Sequence, residues 1–279
     1  MSLFGLFGRT VAVQIGVEGA ISPSIGKLRV GFRVEHKAEK HPSKAQIRIY
    51  NPAPSTIGLL QLPRVSVRLL VGYDPLPRLI FQGSPVTDGI GMSTEGPDKI
   101  LKIEASDGGR AYTSTLINVS FVTPTTFGQV LAAVLLQTQW ARGFIGINEA
   151  FVFPHGIVLV GTPTDVLDRL AEATPPGADW FIRDNALYMV IRGTATPEVA
   201  PLLSSLQGNL IGSPVQTKEG IRCKGLIDST MRPGRSFVVE STNALVSGLY
   251  TARDVTFTGD SGFATPYYME LAAKPLGVP

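Results

Sequence analysis

Cysteine is almost absent from this chain of 279 residues: the single Cys223 excludes an internal disulfide framework and a cysteine-rich zinc site, and reads as a small buried hydrophobe. Charge is scarce as well. Asp, Glu, Lys and Arg make up 17% of the residues, against roughly 25% in ordinary soluble domains. No apolar run approaches the about 18 residues that a membrane-spanning helix needs, so no membrane anchor is expected. The excess of basic residues is only +3, which does not imply nucleic-acid binding. Few charges and 44% apolar residues leave surface that wants cover, and assembly into a closed oligomer is the expected outcome.

Recognised reaction motifs are also missing. There is no G-x-S-x-G elbow, no Walker loop and no H-E-x-x-H pair. The glycines of "DGIGMSTEG" (88–96) are misplaced for a dinucleotide fingerprint and read as a hairpin tip. Of three histidines, His36 and His41 lie in the charged stretch "EHKAEKHPSK", read as a solvated loop, and His155 follows a proline. None has the converging partners of a metal site. Glu104, Asp107 and Asp260 could pair across space as glycosidase carboxylates do, but Asp107-Gly108 and Gly259-Asp260 read as turn chemistry. Trp140 and Trp180 read as core. Arg232 and Arg235 flank the Pro-Gly turn of "MRPGRSF", which would project both guanidiniums, either as plain turn residues or toward an anionic partner. No catalytic, cofactor or metal residue is assigned, and no cofactor is expected.

What is present is alternation. Val11, Val13, Ile15 and Val17 alternate with smaller or polar residues, as do Leu28, Val30, Phe32 and Val34, and Ala45, Ile47 and Ile49 of "KAQIRIYNPAPSTIGLL". Asn51-Pro52 and Pro54 end the last of these strands, and Ser55 or Thr56 is placed to cap a short helical turn. Val65 to Val71, "LIFQGSPV" (79–86) and "KILKIEASDGG" (99–109) continue the pattern.

The period changes after residue 122. Thr126 and Gln129 have capping-box spacing before a stripe of Phe127, Val130, Leu131, Val134 and Leu135. Thr162, Pro163 and Asp165 open a second helix, and "DWFIRDNALYMVIR" reads as a hairpin with Asp184-Asn185 at its turn. Strands resume with "GIRCKGLI", "SFVVEST", "LYTARDVTFTGDSG" and "YYMELAAKP". The N-terminal "MSLFGLFGR" lacks the features of a secretion signal and reads as an arm packed on a neighbour.

The expected fold is therefore mainly β with an α+β insert: two tube-type antiparallel β-barrel or sandwich domains around a small α+β middle domain. The expected boundaries are 1–111, 112–204 and 205–279. The two β-rich ends are expected to share one strand order, a reading encouraged by "GSPV" at 83–86 and again at 212–215.

Several segments carry a resemblance: "QIRIYNPAPSTIGLL", "LVGYDPLPRLIFQGSPV", "KIEASDGGRAY", "DVLDRL" with "DWFIRDNALYMV", "NLIGSPVQTKEGIRCKGLI" and "GLYTARDVTFTGDSG". Taken in order they resemble the baseplate hub proteins of contractile-tailed bacteriophages, such as the hubs of phages T4 and Mu and late control protein D. The resemblance implies a homotrimer that adapts a hexameric tail tube, or a tube initiator, to a trimeric central spike. It implies contact with a tape measure protein, and DNA only in transit through the lumen. Location would be the tail baseplate of the virion, with host cytoplasm during assembly. The chain is short for the larger hubs and shows no fused lysozyme or spike segment, so the spike is expected to be a separate protein. Two other classes stay open on the residues alone: a tail-associated peptidoglycan- or polysaccharide-degrading enzyme, and a sugar-binding β-module.

Overall fold

The structure, a computed structural model, describes residues 8–17, 23–38, 42–74, 77–107, 115–122, 124–262 and 266–277. The first β-rich region comprises β1 (Arg9–Val17), β2 (Ser24–Ile25), β3 (Val30–Lys37), β4 (Lys44–Tyr50), helix α1 (Pro54–Leu59), β5 (Val65–Tyr73), β6 (Arg78–Glu95) and β7 (Asp98–Ser106). The middle contains β8 (Ile117–Phe121), β9 (Thr125–Thr126), α2 (Phe127–Thr138), β10 (Ala141–Ile145), β11 (Val152–Phe153), β12 (Ile157–Gly161), α3 (Pro163–Glu172), β13 (Ala178–Arg183) and β14 (Ala186–Ile191). The last part holds β15 (Leu202–Ser204), β16 (Leu210–Thr217), β17 (Gly220–Gly225), β18 (Ser236–Glu240), β19 (Gly248–Asp260) and β20 (Tyr267–Pro275). The chain is mainly β, and among the described residues no sheet closes into a barrel.

The two β-rich regions form one continuous sheet, ordered β16-β17-β20-β19-β3-β4-β7-β6-β5-β1-β2. Both halves repeat one pattern. In the first, five strands in chain order, β3 to β7, lie side by side as β3-β4-β7-β6-β5; in the second, β16 to β20 lie as β16-β17-β20-β19-β18. Every neighbouring pair in both series is antiparallel. The strand that follows on the outside differs: β1 joins β5 antiparallel, whereas β15 joins β18 parallel. β15 thus belongs with the C-terminal strands, ahead of the expected boundary at 205. The two "GSPV" copies fall on non-equivalent strands, β6 and β16, so the tetrapeptide is not the mark of this repeat.

The halves meet where β19 pairs with β3, from Asp254 opposite Lys37 to Asp260 opposite Gly31. Val34 and Phe257 face each other across this seam and are fully buried, and one hydrophobic core runs from Val11 through Phe257 to Ala273. Period-2 alternation explains it: the residues read as apolar positions of β3, β4 and β7 all point to the same side. Tyr267 ties the far ends together, its hydroxyl accepting from the Gly72 N–H at 3.2 Å and lying against the carbonyls of Gly72 and Thr10.

A second, separate core gathers Ile117, Phe127, Leu131, Leu167, Trp180 and Met189 from the middle elements. Its helices start as their sequences dictate. Thr126 with Gln129 and Thr162 with Asp165 each form a reciprocal capping box. α1 starts differently: Ala53 is its N-cap with no side-chain bond and Pro54 opens the first turn, so neither Ser55 nor Thr56 caps it. Residues 88–95 are strand rather than hairpin tip, and the turn lies beyond them at Gly96, which has φ 58°.

Because Phe257 is fully buried at the seam, Phe257→Ala should destabilise the fold by about 3–5 kcal/mol, the usual range for a buried aromatic truncation. Chemical denaturation followed by tryptophan fluorescence and circular dichroism checks this; a loss below 1 kcal/mol would show that the seam is not a core element.

Candidate functional site

The residues singled out for chemistry are dispersed and individually occupied. His36 is buried on β3, where its Nδ1 lies 3.0 Å from Ser43 Oγ and its Nε2 2.8 Å from the Ile80 carbonyl. That carbonyl fixes the tautomer with the proton on Nε2, leaving Nδ1 to accept from the Ser43 hydroxyl. Burial, reinforced by the Arg232 charge, pushes the imidazole down to about 3, so it stays neutral as a core residue. His155 is exposed, and His41 lies outside the described residues. Among the described residues no group of three or more His, Cys, Asp or Glu could hold a metal ion. Nor is any described helix long and apolar enough to cross a membrane.

The carboxylates are likewise separate. Asp260 takes a two-pronged contact from Arg29 at 3.0–3.2 Å, and Glu104 is exposed on β7. Asp107 is buried at the end of β7 and accepts from the Asn185 N–H at 2.9 Å. Asp184 and Asn185 both have positive φ, 51° and 62°, the backbone of a tight two-residue hairpin turn. Asp107 therefore anchors the middle region to the first sheet. Burial, with the neighbouring Asp184 charge, pushes its carboxyl up to about 7.

Arg232 does not project from its turn as the sequence suggested. It is buried, donating from Nη1 to the Ser229 and Met231 carbonyls (2.9 Å each) and from Nη2 to Leu79 O (2.6 Å), with Asp184 3.7 Å from its Nε. Arg235 donates to the carbonyls of Thr230 and Val199, 2.7 Å each. Both guanidiniums serve the chain's own backbone. Trp140 and Trp180 are buried, the latter donating to Asp168 at 2.9 Å, and buried Cys223 has its thiol pushed up to about 12. A cleft between β13–β14 and the ends of β19–β20 is lined by Arg192, Arg253, Lys274 and Asp179, with Asp179 within 3.7 Å of both arginines. One carboxylate among three cations is not the paired-carboxylate geometry of glycoside cleavage.

What the fold does present is edges and a polar face. One rim of the sheet runs along β16, and a second runs along the later half of β6, because β5 pairs with β6 only as far as Gly83. Both edges carry apolar side chains: Ile90 and Met92 on β6, and Ile211 and Val215 on β16, are exposed. Between them the face turned away from the core is polar, with Arg33, Gln46, Arg48, Lys102, Arg222 and Glu270. None of these edge positions stood out in sequence. Their only signal is strand-like alternation with no sign of which strand lacks a neighbour.

No family model matches the sequence, and no curated protein does. Solved structures do. A tail protein from Neisseria meningitidis MC58 superposes with a TM-score of 0.68 at 11% identity, covering 97% of this chain and 98% of that one. The 43 kDa tail protein of prophage MuSo2 from Shewanella oneidensis gives 0.67 at 9% identity, covering 97% and 99%. The chain has the fold of phage tail proteins. The same fold extends to the E. coli c3393 protein, a type VI secretion component described as similar to the T4 tail proteins gp27 and gp5, with a TM-score of 0.60 at 13% identity over 94% of this chain and 76% of that one.

The raised carboxyl of Asp107 gives a signed expectation. Its folded value, about 7, lies above the unfolded value near 4, so the folded state holds the proton more tightly and Asp107 erodes stability as pH rises through that window. Asp107→Asn keeps the acceptor for Asn185 and removes the titration. The variant should be more stable than the parent by about 1–3 kcal/mol at pH 8 and closer to it at pH 4.5. Denaturation midpoints at the two pH values test it; an equal difference at both would refute the burial argument.

Proposed function

We propose that this tail-fold chain is a structural baseplate hub protein of a phage tail, and that three copies form a ring adapting a hexameric tail tube to a trimeric central spike. The observation that carries the reading is the strand series repeated within one sheet: each copy offers two equivalent modules, so three copies offer six. The modules would correspond to the β-rich regions within 1–111 and 205–279, with 112–204 as a middle domain between them. A ring of six similar modules matches a six-fold tube on one side, while its three-fold repeat matches a spike on the other.

The polar face between the two edges fits a water-filled bore. With three copies in register this face would line the ring, at a width of about 20 Å or more if duplex DNA is to pass. The tube or tube initiator, the spike and a tape measure protein are the partners this role requires. The tail proteins and the gp27- and gp5-like component among the similar structures support the assignment through shared fold. Location in the tail baseplate of the virion, after assembly in the host cytoplasm, goes with it.

Light scattering coupled to gel filtration, followed by negative-stain averaging, tests the reading. The expected result is three times the 29.8 kDa chain mass and a ring with an open centre. A strictly monomeric species across micromolar concentrations, or a packed and closed particle, would overturn it.

A further inference from the structure

A cleft of about 320 Å³ opens where the middle hairpin meets the start of β19 and the end of β20, and its charged lining comes from all three places. Arg192 directly follows β14, Arg253 stands on β19 and Lys274 on β20, with Asp179 of β13 as the one carboxylate. Three cations less one carboxylate give the lining a net charge of +2. The two sides are also tied by backbone, the Gly277 N–H donating to the Gly193 carbonyl at 3.1 Å.

The cations are presented rather than consumed. Arg253 is the extra residue of a bulge: Ala252 lies opposite Ala273 and Asp254 opposite Ala272, which leaves Arg253 unpaired across β20. A bulge of this kind re-aims its side chain out of the strand's alternation. The Arg253 carbonyl accepts from the Ala38 N–H at 2.7 Å, so the bulge is pinned by the first half of the sheet. Asp179 lies 3.6 Å from Arg192 Nε and 3.7 Å from Arg253 Nη1, near enough to hold both charges in place and too far for a hydrogen bond to either. Opposite Lys274 on β19 is Thr251, whose hydroxyl is buried in the cleft lining without a hydrogen-bond partner. A buried hydroxyl in that state costs stability unless something supplies its partner.

From this arrangement we infer that the cleft is a binding site for a phosphate-class dianion, free or as a monoester. Charge and shape both select it. A dianion neutralises the net +2 of the lining. A carboxylate is planar with two oxygens, and Asp179, already lodged between the arginines, hydrogen-bonds to neither. A tetrahedral phosphate has oxygens for cations arriving from separate strands and for the Thr251 hydroxyl, and its edges match guanidinium forks. The volume falls in the range of small-ligand pockets, about 300–1,000 Å³, so there is room for the group that a monoester carries. Bound there, the anion joins Arg192 of the middle region to Arg253 and Lys274 of the C-terminal strands.

Isothermal titration of the full chain with inorganic phosphate, in buffer with chloride in large excess, tests the site. Binding is read per chain, so the number of copies in any assembly does not enter. One saturable site per chain is expected, and the thermal midpoint should rise with phosphate concentration. Arg253→Gln with Lys274→Gln should weaken binding about tenfold or more. Thr251→Val, which removes no charge, should also weaken it, whereas Asp179→Asn removes the competing carboxylate and should tighten it, a gain that misfolding does not mimic. Glycerol 3-phosphate separates the two sources: tighter binding than inorganic phosphate marks a monoester as the ligand, and weaker binding marks the free ion. The absence of a saturable site, or binding unchanged in both the Arg253/Lys274 and the Thr251 variants, would overturn the inference and leave the hub reading standing. So would a hexaglutamate peptide that binds while phosphate does not, since the occupant would then be an acidic segment of a protein partner.

Discussion

Everything in this molecule hangs on one pairing: β19 beside β3. Without it the chain would be two half-sheets with apolar rims; with it, residues from both ends share a core in which Val34, Val255 and Phe257 are excluded from water. Each such side chain contributes about 1.5–3 kcal/mol through burial alone. The pairing also sets geometry. It holds the second strand series in line with the first, so that one polar face and one apolar face run continuously across both.

The middle elements are fastened to this sheet by polar groups rather than by a shared hydrophobic core. Asp107 from β7 accepts from the β13–β14 turn, and Arg232 from the C-terminal part reaches Leu79 of β6 while facing Asp184 of the same turn. Three stretches of sequence thus converge on one buried knot. Its charges are mutually dependent: removing the guanidinium would leave Asp184 and Asp107 as neighbouring carboxylates with less to offset them. Burial without solvent makes such a knot a strong positional constraint and a poor place for independent substitution.

The strands were largely legible in the sequence because alternation is a local property. Val65, Val67, Leu69 and Val71 announce β5, and the Thr126 and Thr162 capping boxes announce two helices. The seam was not legible, since nothing near Val34 signals that its neighbour is Phe257. The tetrapeptide that suggested a repeat sits on unlike strands, while the true repeat lies in strand order and leaves no matching letters. Arg232 misled for a related reason: a Pro-Gly turn flanked by arginines looks exposed until the carbonyls that claim it arrive from β6 and from its own loop. The open edges were invisible because exposure of a strand rim is decided only after every other strand has found its place.

The separation of the seam's two strands along the chain also shapes how the protein is made. During synthesis β3 leaves the ribosome more than two hundred residues before the β19 segment that covers it. Until then its backbone groups and the side chains of Phe32 and Val34 face water or any strand within reach, including the β19 of a chain completed earlier on the same message. Nascent chains are therefore at risk of exchanging β19 between molecules, and the order of synthesis favours slow, late closure over early local folding.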